Sequence, residues 1–172
     1  MSKASPQDSP GAPAHSEAPH PLPPGPRLIT PAGHSRLMTE RARLHADPAP
    51  SPGPAHTRRL ALLDQLSERL EVVAPPTNTG SGRVHFGALV TVEDASGDLQ
   101  SFRILGADEM EGALEAGALA PVTGHPTSAV SVTGPIGRAL MGRQLDDVVT
   151  AHLPRGRVRY TVLTIDYPDA PV

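Results

Sequence analysis

Gly134-Pro135-Ile136-Gly137-Arg138-Ala139-Leu140-Met141-Gly142-Arg143-Gln144-Leu145-Asp146-Asp147-Val148-Val149 reads as a short helix opened by a proline and followed by a turn and a strand. Proline suits the first helical position, because its missing N–H has no partner there in any helix. Ile136 and Leu140, four apart, share one face. Gly142 stands where a helix stop belongs. One apolar face on a helix this short has to pack against a sheet, so the strands around it should form the core.

Working outward, Val84, Phe86, Ala88, Val90 and Val92 alternate with His85, Gly87, Leu89, Thr91 and Glu93, a period of two that predicts a strand. Ala95-Ser96-Gly97-Asp98 turns the chain, and Leu99–Leu105 returns antiparallel. Residues 106–126 form a Gly- and acid-rich excursion with room for one helical turn. Ser128–Thr133 reads as a strand, and Val148–Leu153 with Arg157–Tyr167 as a last hairpin around Pro154-Arg155-Gly156. The expected fold class is α+β: a small, bent antiparallel sheet with one packed helix over residues 83–172. All four aromatic residues, Phe86, Phe102, Tyr160 and Tyr167, fall there.

The first half differs. Fifteen of the 21 prolines precede residue 83, and eight precede residue 27. Residues 1–26 have hardly an apolar side chain to offset chain entropy, so they are expected to be a disordered Pro-rich tail. Thr30-Pro31 reads as an N-cap and first helical residue, opening a helix to about Ala46 with Leu37, Met38 and Leu44 on its apolar stripe. Asp47–Pro54 is too proline-rich for helix. A second helix is expected from about Ala55 to Val72, with Leu60, Leu63, Leu66, Leu70 and Val73 as its seam. Two helices with one stripe each and a short loop predict an antiparallel hairpin over 27–74, the alternative being two helices packed separately on the main domain, with residues 75–82 as a linker.

Charge excludes some classes. Residues 83–172 carry 7 Arg and 11 Asp/Glu, and residues 27–82 carry 7 Arg and 5 Asp/Glu. Neither half has the dense basic stripe of a duplex-DNA binder, so direct sequence-specific nucleic-acid binding is not expected. The chain has no cysteine, which removes disulfides and thiolate metal sites. It has no apolar run of membrane-spanning length and no secretory apolar segment, so a cytoplasmic monomer is expected.

The quoted stretch resembles the Ser-Pro-x-Ala-Arg-Ala-Leu-x-Gly-Lys-x-x-Gly-Asp-x-Val signature of the GreA/GreB transcript-cleavage factors, which bind bacterial RNA polymerase. Leu28-Ile29-Thr30-Pro31-Ala32-Gly33-His34-Ser35-Arg36-Leu37 resembles the Ile-Thr-Pro-x-Gly-x-x-x-Leu opening of that family's coiled coil. Val84–Val90 resembles its Phe-Gly-Ala strand, Phe102–Glu109 its Phe-Arg-Ile-Val-Gly-x-Asp-Glu, and Leu163–Tyr167 its closing strand. The resemblance implies an FKBP-like C-terminal domain without prolyl isomerase activity. It also implies docking on polymerase, near the secondary channel, through Thr133, Gly134, Pro135, Ile136 and Arg138. Here Thr133-Gly134-Pro135 replaces the family's frequent Asp-Ser-Pro.

The sequence departs from the family at its catalytic feature. Family members carry two acidic residues at the tip of a long coiled coil, where they help hold a catalytic Mg²⁺. The tip here is the Pro-rich 47–54, whose sole carboxylate is Asp47. Mg²⁺ is normally recruited by more than one anionic oxygen group. The resemblance also implies roughly 30 missing residues, about 15 per arm, or about 20 Å of reach at about 1.5 Å per residue. Residues 112–127 look like an insertion. The expectation is therefore a non-enzymatic transcription regulator without cofactor or metal. The alternatives are a nucleoside diphosphate kinase regulator-like protein, a residual cleavage factor using Asp47 or Glu40, and an interaction module for a different partner.

Rival motifs carry less. Gly137–Gln144 has P-loop glycine spacing without the Lys and Ser/Thr. The eight His form no ligand cluster. Asp108-Glu109 with Glu111, and Asp146-Asp147, are acid pairs expected to be solvated in turns.

Overall fold

A computed structural model describes residues 25–46, 53–76, 82–110 and 124–168. The expectations for the tail before Gly25, the tip loop, the middle of the linker and most of the excursion lie outside these residues.

The β-branched and aromatic runs of the second half build a five-stranded sheet. Its strands are β3 Leu89–Asp94, β4 Leu99–Leu105, β5 Thr127–Ser131, β6 Val148–Leu153 and β7 Gly156–Asp166. They lie in the order β5-β4-β3-β7-β6. The β3–β4 turn is closed by Asp94, whose Oδ1 accepts from the backbone N–H of Ser96 at 2.8 Å and of Asp98 at 3.1 Å. A bulge between Thr91 and Val92 shifts the register with β7, which bends the sheet. Four neighbours in this order make three antiparallel pairings, as expected, but β5 lies parallel to β4. The connection over 106–126 is long enough for a crossover that re-enters in the same direction, which a tight turn cannot do.

One face of the sheet carries the core: Val90, Val92, Phe102, Ile104, Val149, Ala151, Tyr160 and Val162, joined by Val84 and Ala88. Phe102 and Tyr160 meet edge to face with centroids 5.6 Å apart, the arrangement ring quadrupoles favour. Helix α3, Pro135–Leu140, covers this face and buries Leu140 completely. The strand expected from Val84 begins only at Leu89. Gly87, at φ +81°, turns the backbone out of the pleat before it. Leu89 and Thr91, from the alternate set, are buried as well. They sit on a strand with neighbours on both sides, and Thr91 and Ser101 satisfy each other there at 3.0 Å. Tyr167 closes the domain, its hydroxyl donating to the Arg83 carbonyl at 2.9 Å and accepting from the His85 N–H at 3.0 Å.

The first half forms β1 Arg27–Ile29, α1 Pro31–Ala46, α2 Pro54–Ser67 and β2 Leu70–Val72. Ile29, Leu37 and Leu63 are buried together, with Met38, Leu44 and Leu70 packed around them. Glu40 accepts two hydrogen bonds from Arg59, at 2.7 and 2.8 Å, and Arg41 donates to Asp64 at 2.7 Å. Helix α2 stops five residues short of the expected Val72. The chain turns at Glu68-Arg69 and pairs in parallel with β1. That pairing gives the Arg27 N–H the Arg69 carbonyl at 3.0 Å and the Ile29 carbonyl the Val73 N–H at 2.9 Å. Backbone groups beside a buried Ile29 need such partners, and Leu70 still reaches the helical cluster from the strand.

Candidate functional site

The five residues chosen for docking lie on one short turn and helix start. Gly134 is the N-cap, with Pro135 at the first helical position. The turn before it is internally held: Gly134 N–H donates to the Ser131 carbonyl at 2.9 Å, and the Ser131 and Thr133 hydroxyls lie 3.0 Å apart. Thr133, Pro135 and Arg138 are exposed, Gly134 and Ile136 half-buried. Ile136 packs on the core while Arg138 points away with no ion pair among the described residues. A Cβ on Gly137 would stand 2.2 Å from the Ser131 carbonyl oxygen, so glycine is what lets the helix lie against its own preceding loop. The helix ends at Met141, and Gly142 at φ +75° passes its N–H to the Val84 carbonyl at 2.8 Å. A rigid base thus presents Thr133, Pro135 and Arg138 to solvent.

The structure overturns the solvated reading of Asp108 and Glu109. Glu109 is 1% exposed. Its Oε1 accepts from the Thr30 N–H at 3.1 Å and the Gly106 N–H at 2.9 Å, and its Oε2 from the Thr30 hydroxyl at 2.6 Å. The Thr30 hydroxyl in turn accepts from the Gly33 N–H at 3.0 Å. This is the bonding pattern of a capping box, in which an N-cap hydroxyl bonds the third helical N–H and a carboxylate reaches back to the N-cap N–H. The third helical residue here is Gly33, which has no side chain, and the carboxylate comes from 79 residues away. A Cβ on Gly33 would fall 1.8 Å from Glu109 Oε2, and one on Gly106 would fall 1.9 Å from the Leu28 carbonyl oxygen. Beside this joint, Arg27 makes a two-pronged ion pair with Asp108, its Nη2 donating to Oδ1 at 2.8 Å. The Asp108 hydrogen bond pushes the Arg27 pKa up against partial burial.

The signal for this joint was present in the sequence as a gap. An N-cap Thr30 followed by glycine where a capping box places Glu or Gln asks where the missing carboxylate is. Asp146 and Asp147 do sit in an exposed turn, with Asp147 Oδ2 accepting from the Gln144 N–H at 2.9 Å.

Glu40, an alternative acidic ligand, has both oxygens engaged by Arg59, whose hydrogen bond holds its pKa below the usual carboxylate range. Among the described residues no group of three His, Asp or Glu is placed to hold a metal ion, and no helix is long and apolar enough to cross a membrane. A cleft of about 510 Å³ lies beside the joint and the Ser131–Gly134 turn, lined by Arg27, Leu28, Gly106–Asp108 and Ser131–Thr133 among others.

The family model described as "Transcription elongation factor, GreA/GreB, C-term" matches residues 78–167. Transcription elongation factor GreB of Xanthomonas axonopodis pv. citri (strain 306) is 33% identical over 165 positions, covering 81% of this chain and 90% of the relative. Since 81% of 172 residues is about 139, about 26 of those positions in the relative have no counterpart here. Transcription elongation factor GreB of Pseudomonas aeruginosa is 30% identical over 171 positions, covering 86% and 94%. Among solved structures, GreA factor homolog 1 (Gfh1) of Thermus thermophilus is similar at 23% identity and a TM-score of 0.36, covering 82% of this chain and 99% of that one. With the family model covering more than half of its length and two relatives at 33% and 30% identity matched over nine-tenths or more of theirs, this chain belongs to the GreA/GreB family of transcription elongation factors.

Proposed function

We propose that this protein binds RNA polymerase near the secondary channel and regulates elongation without stimulating transcript cleavage. Membership of an elongation-factor family supports polymerase as the partner. The observation that carries the docking half is the held turn at Ser131–Gly134, with Thr133, Pro135 and Arg138 exposed above a helix anchored by the fully buried Leu140. An exposed guanidinium on a rigid base can make paired hydrogen bonds to a partner's carboxylates with little further loss of freedom.

The non-cleaving half is supported by the sequence of the tip and the length of the arms. Residues 47–54 offer Asp47 as their single carboxylate. Helix α1, with 16 residues, is about 24 Å long at about 1.5 Å per residue. The roughly 26 positions of the Xanthomonas relative that have no counterpart here within the match are in keeping with shortened arms. A short stem with one acidic group cannot hold Mg²⁺ at a distant active site.

Retention of core polymerase by the tagged full-length chain tests the first half. The Arg138→Ala variant should bind more weakly by about 1–3 kcal/mol, the range for losing a hot-spot side chain, with unchanged thermal stability. Undiminished binding would move the docking surface elsewhere. In a backtracked elongation complex, the wild-type chain and Asp47→Ala should be equally unable to accelerate RNA cleavage. Cleavage by the wild type that disappears in Asp47→Ala would establish a residual cleavage factor instead.

A further inference from the structure

The helical hairpin meets the sheet domain at the root of α1, where Thr30 and Gly33 lie against Glu109 and the Leu28 carbonyl lies against Gly106. Thr30 supplies the N–H and hydroxyl at the start of α1, and both bond Glu109. The first helical hydrogen bond, from the His34 N–H to the Thr30 carbonyl at 2.8 Å, starts from the same residue. The carboxylate that holds Thr30 also accepts from Gly106, at the end of β4. One buried group therefore ties the first turn of the helix to the end of an interior strand of the sheet. A single tie would act as a pivot. The second tie, Arg27 to Asp108, lies three residues earlier, about 10 Å along extended chain at about 3.3 Å per residue. Two ties on a short strand fix direction as well as position.

The glycines fit this role. Gly33 and Gly106 leave no space for a Cβ between α1, the carboxylate and the Leu28 carbonyl, so the two halves approach more closely than any side chain permits. A buried carboxylate is costly unless fully hydrogen-bonded. Three donors converge on this one, and two of them belong to the hairpin.

We infer that Glu109 is a positioning residue which, together with Asp108, fixes the angle at which the helical hairpin projects from the sheet domain. Only the functional consequence rests on the polymerase reading: a partner that grips Thr133–Arg138, beside the same cleft as this joint, would hold the hairpin at one set angle.

The test is a distance measurement on the free full-length chain. The protein has no cysteine of its own, so Arg43→Cys on α1 and Arg157→Cys on β7, both exposed, accept a pair of spin labels cleanly. The parent should give one narrow distance distribution. Glu109→Ala should lose that single peak, and Glu109→Gln, which keeps an acceptor for two backbone N–H groups but not for the Thr30 hydroxyl, should lose part of it. Thr30→Val removes the same bond from the hairpin side and leaves the sheet domain intact, so it decides the matter if Glu109→Ala fails to fold. Amide exchange at Val90 and Val162 should stay as in the parent for Thr30→Val, which separates lost direction from lost folding. A narrow, unshifted distribution in both Thr30→Val and a folded Glu109→Ala would overturn the inference, as would a broad one in the parent. Failure of the wild-type chain to retain polymerase would refute the docking reading and leave the distance result standing.

Discussion

Replacing Gly33 with alanine sets two physical effects against each other, and the structure says which wins. Gly33 lies inside α1 with an ordinary helical backbone. On helix propensity alone, Gly→Ala should stabilise by about 1 kcal/mol. The added Cβ, however, would stand 1.8 Å from Glu109 Oε2 and 2.8 Å from Cδ. Real Cβ contacts stay beyond 3.0 Å, so the carboxylate or the helix must withdraw by more than an ångström. Withdrawal of that size breaks both the 2.6 Å bond from the Thr30 hydroxyl and the 3.1 Å bond from its N–H. Hydrogen bonds to charged groups contribute about 1.5–3 kcal/mol each. Losing both and crediting the propensity gain leaves a net loss of about 2–5 kcal/mol. Urea unfolding of the full chain measures the total, and amide exchange at Thr30, His34 and Leu37 against Val90 and Val162 locates it. Faster exchange should appear at the root of the hairpin. A variant as stable as the parent, or more stable by the propensity term, would refute the capping arrangement.

Other outcomes follow from the same geometry. Leu140→Ala should cost about 2–5 kcal/mol in urea unfolding, the range for emptying a fully buried leucine site, because α3 loses its anchor on the sheet. The hairpin should weaken in acid. The Arg59 hydrogen bond depresses the Glu40 pKa and that of Arg41 depresses Asp64. A carboxylate with a lowered folded pKa contributes stability that is complete above its unfolded value, about 4.3 for Glu, and is lost as pH falls through the folded value. Helical exchange protection should therefore fall in acid, as pH drops through the carboxylate range, and Glu40→Gln should remove part of that fall. An equal fall in the double variant Glu40→Gln, Asp64→Asn would assign the acid sensitivity to other groups.

Much of this protein is written locally. Thr30-Pro31 starts a helix and the prolines after Ala46 stop it, since a cap hydroxyl and a missing N–H act within one turn. Gly134-Pro135 and Gly142 frame α3 for the same reason. Val148–Leu153 and Arg157–Tyr167 around Pro154-Arg155-Gly156 read as a hairpin, and the two strands do pair antiparallel, with Val149, Ala151, Tyr160 and Val162 inward. Exposure of Arg138 was also legible, because a helix whose single apolar face is Ile136 and Leu140 leaves it no interior to enter.

The tertiary structure decided what depends on distant partners. The parallel entry of β5 was set by a long crossover that no period in Thr127–Ser131 reveals. Helix α2 ended early because Arg27 and Ile29 needed a backbone partner, and the leucine spacing through Leu70 reads the same whether the last turn is helix or strand. Glu109 looked like one more acid in a polar loop. Its burial required three N–H and O–H donors, two of them from a residue 79 positions away. The free energy of a buried charge is set by the groups that surround it in space, whereas capping, proline geometry and periodicity are set by neighbours within a few residues along the chain.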